Sequence, residues 1–358
     1  MKIWIVWLPN VWKSTLFNAL TNNYSADAEN FPFCTIEPNV GIVNVNDPRL
    51  EQIRAAVNGA KIIPANCEFI DIAGIVKWAS AGEWLGNKFL ANIREVNAIL
   101  QVVRVFKDDN IIHVHGEVDP KGDIEVINSE LILADIETVE KKIATDGKKA
   151  KSDKKEAEKV ETYKKVLAGL MDGKLTSNMD LNEDELEHIK EMYLLTNKEF
   201  VYACNVSEDM MSASEEELQK LLGVTNKVTP VCAKLEADMI EMSTEEKNEF
   251  LQEMELTTTG LDDVIKASYD ALGLQYYFTA GEQEVRAWTV KKWATAPEAA
   301  GVIHTDFETG FIKADVVNSE HIIAEWGWSK ARVAGHVRLE GKDYIVQDWD
   351  VMLFKFNN

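Results

Sequence analysis

The residues best suited to chemistry lie near the amino terminus. Lys13, Ser14 and Thr15 follow an apolar run, Ile3 to Val6, and open a helical pattern with Leu16, Phe17 and Leu20 on one face. The residues between, Trp7 to Trp12, read as a loop. Strand, six-residue loop, Lys-Ser, helix is the layout G-x-x-x-x-G-K-[ST] of a phosphate-binding loop. In that layout Lys13 reaches the β- and γ-phosphate oxygens and Ser14 holds Mg2+. The backbone of residues 10–15 (Asn10, Val11, Trp12, Lys13, Ser14, Thr15) wraps the phosphates. Both glycines of the layout are tryptophan here, at 7 and 12. The wrapped backbone needs positive φ at some positions and no side chain where it meets the phosphate. A left-handed residue with a Cβ costs about 1–2 kcal/mol, and an indole occupies roughly 150–250 Å² of packed surface. The expectation for the loop as it stands is poor phosphate binding or none.

Other motifs fit the same chemistry. Asp71-x-x-Gly74 follows a buried strand, Cys67 to Ile70. In triphosphatases with this loop, such an Asp joins the Mg2+ shell and the Gly N–H meets the γ-phosphate. The next residue, Ile75, is not a water-orienting Gln, so water must be placed by something else. Thr35 lies in the loop where a switch threonine would complete the metal shell. Asn205-Val206-Ser207-Glu208 follows another buried strand. A guanine-specific site would read Asn-Lys-x-Asp, so Val206 and Glu208 argue against guanine and leave adenine open. A second base contact is expected from the loop after Val231, at Cys232 and Ala233. Taken alone, each of these motifs also fits an ordinary turn or loop. His113 and His115 share one face of a strand-like segment, a pattern that usually packs or faces solvent.

Composition bounds the rest. The chain has 358 residues and a net charge of −22, so whole-protein attraction to nucleic acid, and DNA binding in particular, is not expected. One local exception is the seven lysines within residues 141–155, with Lys148, Lys149 and Lys151 at their centre. No apolar run approaches the ~20 residues of a membrane span, and no signal-peptide layout is present. Cys34, Cys67, Cys204 and Cys232 are widely spaced, which reads as reduced thiols in a cytoplasmic protein.

The elements that must position these residues alternate. Residues 1–124 read as strand and helix in turn, with strands at 41–45, 67–70 and 98–106 and a helix at 48–57. This is the pattern of a parallel sheet covered by helices. Residues 125–196 change period: Ile132, Ile136, Val139 and Ile143 face Val160, Tyr163, Leu167 and Leu170 across a turn at Asp146-Gly147. An antiparallel helical hairpin follows, with the lysines at its tip. Strands resume at 200–204 and 228–233, so the hairpin is an insertion within a domain of residues 1–124 and 197–275. Residues 276–358 alternate apolar and polar, with strands at 285–290, 310–317 and 343–356 and a helix at 297–302. They read as a separate α+β domain.

The segments Leu8 to Val11, Lys13 to Leu20, Phe31 to Pro38, Asp71 to Gly74, Asn87 to Arg94, Tyr277 to Gly281 and Glu340 to Asp348 together resemble the Obg-like ATPases of the YchF subfamily. The likeness runs over essentially the whole chain. It implies an α/β P-loop domain with an inserted coiled-coil hairpin and a C-terminal TGS domain of β-grasp type. It further implies slow, Mg2+-dependent ATP hydrolysis, ATP preferred over GTP, with Ser14, Thr35 and Asp71 on the metal. A catalytic role for His113 beside Lys13 and Gly74 comes from the resemblance alone. Association with the ribosome, its large subunit or a 70S-type particle, is implied too, with a role in translation or stress. Contact with ribosomal RNA would fall to Lys148, Lys149 and Lys151.

The departures are specific. Trp4, Trp7, Trp12, Trp78, Trp84, Trp293, Trp326 and Trp349 stand where the family is expected to have glycine, whereas Trp288 and Trp328 look ordinary for it. Such a set on an undisturbed background reads as replacement rather than drift. Two further readings therefore stand beside the ATPase. One is a nucleotide-incompetent module that docks on ribosomes or RNA; the other is a GTPase.

Overall fold

The computed structural model describes residues 1–8, 16–20, 40–71, 94–106 and 118–357. Its elements begin with β1 (Lys2–Trp7), β2 (Val40–Asn44), α1 (Pro48–Val57), β3 (Lys61–Ile63), β4 (Asn66–Asp71) and β5 (Ala98–Arg104). The hairpin consists of α2 (Pro120–Asp146) and α3 (Lys154–Met171), followed by α4 (Glu183–Lys190). Then come β6 (Glu199–Asn205), α5 (Glu215–Leu222), β7 (Lys227–Val231), α6 (Ala233–Asp238), α7 (Thr244–Glu253) and α8 (Gly260–Ala271). The chain ends with β8 (Leu274–Ala280), β9 (Glu284–Lys291), α9 (Ala296–Ile303), α10 (Thr305–Thr309), β10 (Phe311–Asn318), α11 (Ser319–Ala324), α12 (Trp328–Val333), β11 (Arg338–Glu340) and β12 (Asp350–Phe356).

The first sheet has the order β2-β4-β1-β5-β6-β7, and its pairs β1–β4, β1–β5, β5–β6 and β6–β7 are parallel. Every residue of β5 is buried, as expected of a central strand with helices on both faces. Trp4, Val6, Ile99, Val103, Phe200, Tyr202 and Cys204 pack there against Ile124, Ile127 and Leu131 of α2. The hairpin seam holds the expected residues: Ile132, Val139, Val160, Tyr163 and Leu170 are buried together, with Ile136, Ile143 and Leu167 against them. Pro120 starts α2, where its missing N–H is harmless. Buried Asp135 fixes the foot of the hairpin to the chain entering β6. It accepts from Leu195 N at 3.0 Å, Thr196 N at 2.7 Å and Thr196 Oγ1 at 2.8 Å.

The second sheet has the order β11-β10-β12-β8-β9-β3. It is mixed, with β10–β12 and β8–β9 antiparallel and β12–β8 parallel. Ala296, Ala299 and Ala300 of α9 bury against Tyr277, Ala314, Val316 and Met352. Small alanines let the helix approach a sheet carrying large rings.

The chain divides into two compact units, residues 1–41 with 68–268 and residues 42–67 with 269–358. Against the expected domains, the hairpin groups with the first unit, the later boundary falls at 268/269, and residues 42–67 change unit. Residues 42–67, assigned by sequence to the first domain, group with the carboxyl-terminal strands because β3 pairs in parallel with β9, Ile62 against Val285. Three apolar or basic residues, Lys61-Ile62-Ile63, carry no signal of which sheet they join. The third strand expected at 343–356 is shorter, beginning at Asp350. Tyr344 hydroxyl and Gln347 N both donate to Asp350 Oδ2 and hold residues 344–350 in a turn instead.

Candidate functional site

The parallel register brings several strand ends to one edge. Ile5 lies opposite Asp71, and Trp7 opposite Val102. Arg104 lies opposite Asn205, and Asn205 opposite Val231. The carboxyl ends of β1, β4, β5, β6 and β7 therefore share an edge, where open α/β sheets bind ligands. Asp71 closes β4. Trp7 is the last residue of β1 rather than the first of the loop, one residue later than the sequence layout suggests.

The best-defined corner is at β6 and β7. Asn205 is buried and its Oδ1 accepts from Ala233 N at 3.2 Å. Val206 N donates to Val231 O at 3.0 Å. The two loops expected to contact a base, 205–208 and 232–233, are thus tied together by a side chain and a backbone bond. Glu208 opens a single 3-10 turn, Glu208–Met210, and its Oε1 accepts from Lys234 Nζ at 2.7 Å. The pair is largely exposed, so it contributes little to stability. It does set the charge a base edge would meet. Burial pushes the Cys232 thiol up, so it stays protonated at neutral pH.

Two residues of this corner, Lys234 and Glu236, were missed from the sequence. Glu236 is buried in α6, and its Oε1 accepts from Leu261 N at 3.2 Å. Gly260 N–H also bonds to it. The carboxylate therefore caps the amino end of α8 from another helix, where N–H groups lack intrahelical partners. A Cβ at position 260 would lie 3.0 Å from Val231 Cα and 3.1 Å from Pro230 O, so only glycine lets α8 approach β7 this closely. Burial pushes the Glu236 carboxyl up to about 7, against the pull of the two N–H donors, with Asp262 adding to the rise. Cys-Ala-Lys-Leu-Glu straight after a strand end was the available signal. Nothing local shows that the Glu turns inward to a helix 25 residues on.

In the interior of the sheet, Trp4 and Trp7 are both buried in β1. Trp4 Nε1 has no hydrogen-bond partner among the described residues. Asn10, Val11, Trp12, Lys13, Ser14, Thr15, Thr35, Gly74 and His113 lie outside the described residues, as do Cys34, Trp78 and Trp84. Among the described residues, no group of three or more His, Cys, Asp or Glu could hold a metal ion. No described helix is long and apolar enough to cross a membrane.

The hairpin tip presents the expected cations. Lys148, Lys149 and Lys151 are exposed. Below them Asp146 is buried and takes Lys142 at 3.2 Å and Lys149 at 3.7 Å. One carboxylate neutralises part of the cluster and leaves the outer lysines to solvent.

Two family models match the chain. Residues 2–134 match one described as 50S ribosome-binding GTPase, and residues 274–357 match the carboxyl-terminal domain of YchF GTPases, described as a protein of unknown function (DUF933). The chain is 52% identical to "Ribosome-binding ATPase YchF" of Bacillus subtilis, covering 99% of this chain and 98% of that one. It is 51% identical to the protein of the same name in Escherichia coli O157:H7, covering 99% of both. The solved structure titled as the Schizosaccharomyces pombe YchF GTPase superposes with a TM-score of 0.83 at 34% identity, covering 99% of this chain and 97% of that one.

Proposed function

Because this chain belongs to the YchF subfamily of Obg-like P-loop nucleoside triphosphatases, we propose that it is a ribosome-associated ATPase that binds ATP with Mg2+ in the cytoplasm. The observation that carries the choice of nucleotide is the corner at Asn205. Where a guanine site needs a lysine and an aspartate, the chain has Val206 and Glu208, and Glu208 is already paired with Lys234 at 2.7 Å. Asn205 spends its Oδ1 on Ala233 N. Two bonds tie the loops there together, and the one carboxylate near a guanine edge, Glu208, is engaged by Lys234.

The residues divide the work. Asn205 positions the loops at Val206, Cys232 and Ala233 around the base, and Glu208 with Lys234 sets the charge beside it. Ser14, Thr35 and Asp71 would hold Mg2+, which neutralises charge on the β- and γ-phosphates when bound. Lys13 and the backbone of residues 10–15 position the phosphates, and Gly74 N–H faces the γ-phosphate. His113 places water, the role left open by Ile75. Rate enhancement is by positioning and charge stabilisation, and turnover is slow. The exposed Lys148, Lys149 and Lys151 would meet ribosomal RNA, where each cation adds a salt-dependent contact.

Calorimetric titration with ATP and GTP tests the reading. Binding of ATP in preference to GTP is expected. Binding of neither at millimolar concentration would favour the second reading, a nucleotide-incompetent ribosome-docking module, for which the buried Trp7 at the loop entrance speaks. Equal or tighter GTP binding would favour a GTPase. Changing Lys148, Lys149 and Lys151 to Glu should weaken co-sedimentation with ribosomes; unchanged sedimentation would remove the hairpin tip from the interface.

A further inference from the structure

The tryptophans differ in their surroundings. Trp288 and Trp328 sit as indoles normally do. Trp288 Nε1 donates to Thr279 Oγ1 at 2.9 Å, with the Arg286 guanidinium 3.8 Å from the ring. Trp328 Nε1 donates to Ala280 O at 3.0 Å. Trp293 and Trp326 are different: their φ angles are +72° and +52°, and they are 81% and 65% exposed. Left-handed backbone favours glycine and penalises any Cβ. An exposed indole gains nothing there to offset the strain. Trp4 is a third case, 1% exposed with an orphaned Nε1. A buried N–H without an acceptor is costly. Trp7 and Trp12 occupy the two glycine positions of the phosphate-loop spacing. Trp349 stands half-exposed in a turn.

A single codon connects these two residue types. UGA, a stop in the standard code, is read as tryptophan in some genomes and as glycine in others. We infer that the eight positions where the family resemblance expects glycine, two of them with left-handed backbone, are UGA codons of a genome that reads UGA as glycine. The chain made by its own ribosomes then has glycine at 4, 7, 12, 78, 84, 293, 326 and 349, and tryptophan at 288 and 328 alone. The turns at 293 and 326 relax, the orphaned indole leaves β1, and residues 7–14 become Gly-x-x-x-x-Gly-Lys-Ser. This bears on the ATPase reading by supplying its phosphate cradle, and it stands on the turns and the core independently of that reading.

The test is the gene together with peptide masses of the protein isolated from its host. UGA at the eight positions, UGG at 288 and 328, and glycine masses at the eight are expected. UGG at the eight, or indole masses in the host's peptides, would overturn the inference. A second readout uses the full recombinant chain with Trp293→Gly or Trp326→Gly. Each should raise Tm by about 2–4 °C; an unchanged or lower Tm removes the glycine assignment at that turn. An all-glycine chain that still binds no ATP would sink the ATPase reading and leave the codon inference standing.

Discussion

Two groups of strand ends along one sheet edge, at β6 with β7 and at β1, differ in how well their polar groups are satisfied. At β6 and β7, Asn205 bonds Ala233 N, Glu208 bonds Lys234, and Glu236 bonds the N–H groups of α8. The first two contacts tie down the loops after β6 and β7, and the third fixes the start of α8. At β1 the strand end instead carries the buried indole of Trp7, and Trp4, three residues earlier in the strand, is buried with an Nε1 that has no partner among the described residues. The ends of β6 and β7 carry paired polar groups, and the end of β1, separated from β6 by β5, carries a buried indole. The lesson is that a fold can persist while one of its subsites is obstructed, because sheet register depends on backbone pairing and the subsite depends on the volume left free at strand ends.

The largest effect should come from clearing the obstructed end. Trp7→Gly with Trp12→Gly should raise ATP affinity by at least about a hundredfold, roughly 2.7 kcal/mol, measured by calorimetry. No gain would mean that the obstruction is not what separates the two ends. At the organised end, Asn205→Ala leaves Ala233 N buried and unpaired, so urea denaturation should show a loss of about 1–3 kcal/mol. Nucleotide affinity should fall with it; loss of stability without loss of affinity would detach Asn205 from the site.

Glu236 sharpens the comparison through pH. Its folded-state pKa is raised, from 4.5 to about 7, so the folded protein binds more protons than the unfolded chain between those values. The stability it contributes is fully present below about pH 4.5 and is lost as pH rises through about 7. Glu236→Gln keeps an acceptor for Leu261 N and removes the charge. Relative to the variant, the wild type should lose up to about 3 kcal/mol between pH 5 and pH 8, read from denaturation curves at the two values. Parallel pH profiles would show that the carboxyl is solvated. The smallest effect belongs to Lys234→Ala, which breaks an exposed pair. It should change stability by less than about 1 kcal/mol while shifting the ATP-to-GTP preference, since Glu208 is then free to accept from a base.

Local pattern carried much of this. The hairpin was legible because Ile132, Val139, Val160 and Tyr163 repeat at helical spacing and bury where that spacing points. The helix expected at 48–57 is present, with Pro48 in its first turn and the Asp47 side chain accepting from Arg49 N. The turn at Asn205 to Glu208 was legible because a polar motif followed a buried strand. Residues 61–63 were not assignable, since three residues do not show which sheet they join. Glu236 was missed because its partners, Gly260 and Leu261, come from a distant helix.

Residue types and spacing alone determined the strand–loop–helix start, the helical insertion, the altered base motif and the family. The first three follow from side-chain period or turn chemistry within single segments, and the family from motifs spread along the whole chain. Only the tertiary structure decided that Asp71, Arg104, Asn205 and Val231 meet at one edge, that residues 42–67 belong with 269–358, and which tryptophans are at ease. Those depend on backbone register, burial and φ, quantities that exist only once distant segments have packed.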